Sequence, residues 1–121
     1  MDSNEALGAN SGVSENNIAK KLESGEFIIT VEVHPPRGHL VSKTFNSIKG
    51  LLEKVHVDAF NTTDIPLAQA RLSATAMSSL LSSHFSVDTI MHVATRYRNV
   101  LSLQSDLLGA HALGVNNVFV F

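Results

Sequence analysis

The sequence predicts an α/β protein built on parallel strands, and three observations carry that expectation. Short runs rich in β-branched and aromatic residues recur at 27–33, 57–61, 87–93 and 117–121. Between them lie three stretches whose apolar residues repeat at helical spacing. The two kinds of segment alternate, which implies parallel pairing and right-handed crossovers. Two architectures satisfy the pattern, a doubly wound open sheet and part of an eight-stranded β/α barrel. The first strand is not followed by a Gly-x-Gly-x-x-Gly turn, which counts against a dinucleotide-binding open sheet.

Residues 1–13 are small, polar and glycine-containing and read as a disordered tail. Ser14-Glu15-Asn16-Asn17 then opens a short helix, with Ile18 and Leu22 one turn apart and Gly25 behind it. Strand one, 27–33, runs into His34-Pro35-Pro36-Arg37-Gly38-His39, where each proline fixes its own φ and restricts its predecessor. Residues 40–54 read as a helix through Leu40, Phe45, Ile48, Leu51 and Leu52. Strand two, 57–61, ends in Thr62-Thr63-Asp64-Ile65-Pro66. A second helix is expected over 67–84, strand three over 87–93 and a third helix over 98–113, stopped by Gly114. Strand four is 117–121. The order is a helix followed by β-α-β-α-β-α-β.

Composition narrows the class. The chain has 121 residues, enough for one domain with a core; 44% are hydrophobic and 17% charged. Net charge is -2, which points to neither nucleic acid nor an anionic membrane. No apolar run approaches the roughly 18 residues of a membrane span. There is no cysteine, which excludes disulfides, thiolate metal sites and cysteine nucleophiles. The N-terminus carries Asp2 and Glu5 and no apolar core, so a cytoplasmic protein is expected.

In parallel β/α folds ligands gather at the carboxyl ends of the strands. Those ends are Glu32 and His34; Asn61, Thr62 and Asp64; and His92, Thr95, Arg96 and Arg98. Strand four is expected to contribute nothing. Glutamate suits a strand poorly, so Glu32 is the leading candidate for chemistry. Ile29, Val31 and Val33 share an aliphatic face suited to a helix layer, which turns Thr30 and Glu32 inward. Partial desolvation there would raise the carboxyl pKa and favour proton donation. Each residue also has a structural alternative. Glu32 could pair with Arg37 or Arg96, His92 could be a core histidine, and Asn61-Thr62 could cap a helix or form a turn. Arg37 and Arg98 read as solvated or phosphate-facing. His34, His39 and His56 lack metal-ligand spacing, and no metal is expected.

These segments together carry a resemblance. Val31-Glu32-Val33-His34-Pro35-Pro36-Arg37-Gly38 resembles the opening signature of the methylenetetrahydrofolate reductases. Asp64-Ile65-Pro66-Leu67-Ala68 with Ala70-Arg71-Leu72-Ser73 is similar to the second-strand loop and helix of that family. Ile90-Met91-His92-Val93 with Arg96 and Arg98-Asn99 is similar to its third-strand end. The run Leu103-Gln104-Ser105-Asp106-Leu107-Leu108-Gly109-Ala110-His111-Ala112-Leu113-Gly114-Val115 is the closest match. The likeness covers about 27–121.

The resemblance implies a (β/α)₈ TIM barrel, with 14–121 as its N-terminal half: about four parallel strands, three crossover helices and an N-terminal helix. It implies FAD as cofactor, NADH or NADPH as electron donor, and reduction of 5,10-methylenetetrahydrofolate to 5-methyltetrahydrofolate in one-carbon and methionine metabolism. By the same resemblance Glu32 is the general acid that opens the folate imidazolidine ring, His92 contacts the flavin, and Asn61 and Thr62 lie beside the flavin ring. The family's fourth strand ends in a Gly-Asp pair, and this chain stops at Phe121 before it. Tyr97 stands where many relatives carry an acidic residue, and His34 where an apolar or aromatic residue is common. A truncated half barrel, inactive alone, is therefore expected to need a second half-barrel or another copy of itself. The competing expectations are a non-catalytic remnant or subunit, and a different flavin- or pterin-binding β/α protein.

Overall fold

The computed structural model of the protein describes residues 16–121. The expected disordered tail at 1–13 lies outside the described residues, as do Ser14 and Glu15.

Helix α1 spans Asn17–Ser24. Its start is set by Asn16, whose side-chain oxygen accepts from the Ala19 N–H at 3.2 Å. Its end is set by Gly25, which adopts φ 73° and closes the helix through backbone bonds to Leu22 and Lys21. Strands β1 (Thr30–Val33), β2 (Ala59–Thr62), β3 (Asp88–Val93) and β4 (Asn117–Val120) form one sheet. Every neighbouring pair is parallel, and the spatial order is β1-β2-β3-β4. Helices α2 (Ser42–Leu52), α3 (Ala74–Phe85) and α4 (Val100–Ala112) make the crossovers.

Pleating and packing decide between the two expected architectures. Val33 and Phe60 pack with Ile48 of α2 and with Met77 and Leu81 of α3, joined by Val57. Met91 and Val93 pack with Ala74 of α3 and with Ala110 and Val115 at the α4 end. All three crossover helices therefore cover the same side of the sheet. A doubly wound sheet places helices on both sides and reverses its strand order at a switch point. Sequential parallel strands with helices on one face are the arrangement of a (β/α)₈ barrel wall, and this is a partial barrel.

Two element starts differ from expectation by three residues or more, and the others by no more than two. Strand β1 begins at Thr30 rather than Phe27: Phe27 stands exposed, and Ile29 is held by Asp58, through its carbonyl and its N–H, just ahead of the strand. Helix α3 begins at Ala74 rather than residue 67. Ile65, Leu67 and Ala68 have φ of 44°, 57° and 55°, which an α-helix cannot contain. With Pro66 they form a short, non-helical turn, and Ser73 then caps α3 through its hydroxyl.

Candidate active site

The side of the sheet away from the helices carries the polar residues. Glu32 is opposite Asn61, Asn61 opposite Ile90 and His92 opposite Phe119. Strand alternation puts all five on one face, with Glu32 and His92 at the carboxyl ends. A cleft of about 730 Å³ opens there, lined by Glu32, His34, His92, Arg96, Tyr97 and Phe121 and floored by 63–68.

Among the described residues the ion-pair partner of Glu32 is His34, Nε2 to Oε1 at 3.5 Å, rather than Arg37 or Arg96. Arg37 donates instead to Gln69 Oε1 at 3.1 Å. The Glu32 side chain is 54% exposed, so the expected desolvated setting is not found. His92 is more enclosed. Its Nε2 lies 3.3 Å from Asn61 Oδ1. Burial pushes its pKa below the ordinary histidine value, outweighing the upward pull of the Glu32 and Asp64 carboxylates. His92 is therefore a neutral imidazole near pH 7, able to donate from one nitrogen and accept at the other.

The pleat sets Thr62 apart from Asn61. It lies one residue past Asn61 and its side chain turns to the helix layer, fully buried. Its hydroxyl sits 2.6 Å from Ser78 Oγ and donates to the Ala74 carbonyl at 3.3 Å. The hydroxyl locks β2 to α3 and does not face the cleft. Neither Asn61 nor Thr62 caps α3, since Ser73 holds that position.

Strand four contributes more than expected. The Phe119 ring centroid is 5.2 Å and the Phe121 centroid 6.1 Å from that of His92, forming an aromatic border to the cleft. The sequence reading expects nothing from this strand. Alternation puts Phe119 and Phe121 on one side of their own strand, and the register opposite His92 makes that the cleft side.

Arg98 is also corrected. It is neither solvated nor directed to a phosphate. Its guanidinium forks onto Asp64, with Nη1 to Oδ2 and Nη2 to Oδ1, the latter at 3.0 Å. It also donates to the Ala94 carbonyl at 2.9 Å and to Asp106 at 3.1 Å. The hydrogen bonds from Arg98 to Asp64 are the main reason its pKa stands above the ordinary value. Asp64 is 2% exposed and also accepts from the Ala94 N–H at 2.8 Å. This clasp ties the end of β2 to the end of β3. It sits beside the left-handed residues Ile65, Leu67 and Ala68, a concentration of backbone strain on the rim of the cleft.

The opposite end of the sheet is different in kind. Asp58 there accepts from the Ile29 N–H at 2.7 Å, from His56 Nε2 at 2.8 Å and from Lys21. These donors, Lys21 first, hold its carboxyl well below the usual carboxylate range. Asp88 accepts from the Ile18 N–H, and Asn16 bonds Asn117, which bonds the Thr89 carbonyl. A smaller cavity of about 370 Å³ lies here, lined by Ile18, Lys21, His56, Asp58 and Asp88 among others.

Over residues 17–121 the chain matches the methylenetetrahydrofolate reductase family model. The chain belongs to this family. Neither the curated proteins nor the solved structures compared with it give a match. Methylenetetrahydrofolate reductases are oxidoreductases of folate metabolism on a TIM barrel, generally flavin-associated, so a folate substrate is implied. The matched stretch includes Glu32, Asn61, Thr62 and His92, and of these the reductase fold brings Glu32, Asn61 and His92 onto one face. Among the described residues no helix is long and apolar enough to cross a membrane, and no three His, Asp or Glu side chains converge as a metal site.

Proposed function

We propose that the protein takes part in FAD-dependent reduction of 5,10-methylenetetrahydrofolate to 5-methyltetrahydrofolate, with NADH or NADPH as electron donor. One observation carries this reading. Glu32, Asn61 and His92 share the helix-free face at the carboxyl ends of the strands, where β/α barrels hold their ligands.

The residues present suit a flavin. An isoalloxazine ring needs a flat apolar surface and donors along one edge. Phe119 and Phe121 supply the first beside His92, and neutral His92 with Asn61 supplies the second. Bound FAD would supply hydride chemistry. In this reading Glu32, half in solvent at the open mouth, hands a proton to a folate nitrogen as the ring opens. His92 and Asn61 fix one another's orientation by their mutual bond. The Asp64–Arg98 clasp keeps the β2 and β3 loops in register around the cleft.

The apolar edge of β4 supports one further statement. Val118, Phe119, Val120 and Phe121 are all at least 40% exposed. We infer that this surface is covered in the working enzyme by further barrel strands, whether in the same chain, in a separate half-barrel or in a second copy. A non-catalytic subunit is the alternative, and reductase assays with and without added half-barrel distinguish the two.

The proton-donor role is tested by Glu32→Gln in the flavin-loaded enzyme. Reduction of the flavin by NADH or NADPH should persist, while folate reduction should fall by about 10²–10⁴-fold, the range of a general acid. Unimpaired folate turnover would remove Glu32 from the chemistry.

A further inference from the structure

We propose that His34 is the proton supplier of Glu32, held for that task by Thr63. The inference rests on the reading of Glu32 as the acid and adds the step that resets it.

An acid that gives a proton to substrate is left as carboxylate and must be reprotonated before the next turnover. Glu32 and His34 are two residues apart, so both project to the cleft side of the sheet. His34 Nε2 lies 3.5 Å from Glu32 Oε1. Its other nitrogen, Nδ1, lies 3.0 Å from Thr63 Oγ1. Thr63 is itself buried, and its N–H is fixed to the Val33 carbonyl, so it is a firm anchor at the end of β2. The His34 ring, 57% exposed, bridges this anchor, the carboxylate and bulk water. Pro35 follows directly, which restricts the His34 backbone and limits where the ring can go.

The chemistry follows from the tautomer. The proposal assigns Nδ1–H as donor to Thr63 Oγ1, which leaves the Nε2 lone pair facing Glu32 and solvent. Nε2 takes a proton from water and His34 becomes imidazolium. The Nε2–H bond then breaks as the Glu32 O–H bond forms, and His34 returns to its neutral Nδ1–H form. Glu32 now carries the proton destined for the folate nitrogen. One proton enters from solvent and one leaves to substrate per cycle, with no change of oxidation state at either side chain.

Two measurements test this. Long-range ¹H–¹⁵N correlation spectra of the protein should show neutral His34 as the Nδ1–H tautomer, and Thr63→Val should shift it toward Nε2–H. An Nε2–H tautomer in the unaltered protein would overturn the proposal. In the flavin-loaded enzyme, His34→Ala should slow folate reduction roughly 10-fold, less than loss of the acid itself because water can still reach Glu32. Added imidazole should restore much of that rate in His34→Ala and none of it in Glu32→Gln. A His34→Ala enzyme of full rate, or one slowed but not rescued by imidazole, would overturn the proposal while a collapsed Glu32→Gln enzyme left the acid assignment standing. Full activity in Glu32→Gln would instead remove the reading on which the proposal rests.

Discussion

The two ends of the sheet handle carboxylates in opposite ways. At the amino end, Asp58 takes three hydrogen-bond donors and Asp88 takes the Ile18 amide, so α1 is fastened across the base of β2 and β3. At the carboxyl end, Glu32 has His34 as its ion-pair partner among the described residues and keeps 54% of its side-chain surface in water. Asp64 stands between these cases, on the cleft side but consumed by Arg98. A carboxylate whose lone pairs are filled by its own chain is a fastener. One left with spare lone pairs beside a cleft is available to a ligand. Barrel architecture assigns the first to the base and the second to the rim.

The largest effect should come from the residue that crosses this division. Arg98→Ala would leave Asp64 buried without its counter-charge and should cost about 3–5 kcal/mol in urea unfolding. A loss below about 1 kcal/mol would make the pair an ordinary surface contact and dissolve the contrast with Glu32.

Thr62 sharpens the comparison between the sheet's two faces. Thr62→Val should cost about 1 kcal/mol, since Ser78 loses its hydroxyl partner. Flavin affinity should be unchanged. A clear drop in affinity at constant stability would place Thr62 against the ligand.

Much of this division was legible in the sequence. The alternation of strand one placed Val31 and Val33 on the helix side and Glu32 on the other, as found. The order of elements also held, because β-branched runs and helical spacing are local signals. What the sequence hid was non-local. Nothing local says that Asp64 would meet Arg98, 34 positions away, or that Asp58 would meet Lys21. The start of α3 was misplaced because helix-favouring Leu67 and Ala68 adopt left-handed φ, a choice made by the surrounding loop. Thr62 parts from Asn61 for a simpler reason. Asn61 and Thr62 were treated as a pair, although neighbours on a strand face opposite ways.

The smallest effect lies at the base and concerns acid. Folded Asp58 titrates below the ordinary carboxylate value, so it stabilises the fold fully above about pH 4. That contribution is lost as pH falls below this point toward the depressed folded-state value. Asp58→Asn should therefore flatten the acid limb of the stability curve and leave the neutral region's slope unaltered. An unchanged acid limb would mean that α1 is held by other contacts.

The central claim is that the rim, and not the base, holds the flavin. Flavin titration of matched variants tests it most directly, with His92→Ala at the rim and His56→Ala at the base. The account predicts about 10-fold weaker FAD binding in His92→Ala, the loss of one good hydrogen bond, and unchanged binding in His56→Ala. Equal affinities in both, or weakening confined to His56→Ala, would contradict it.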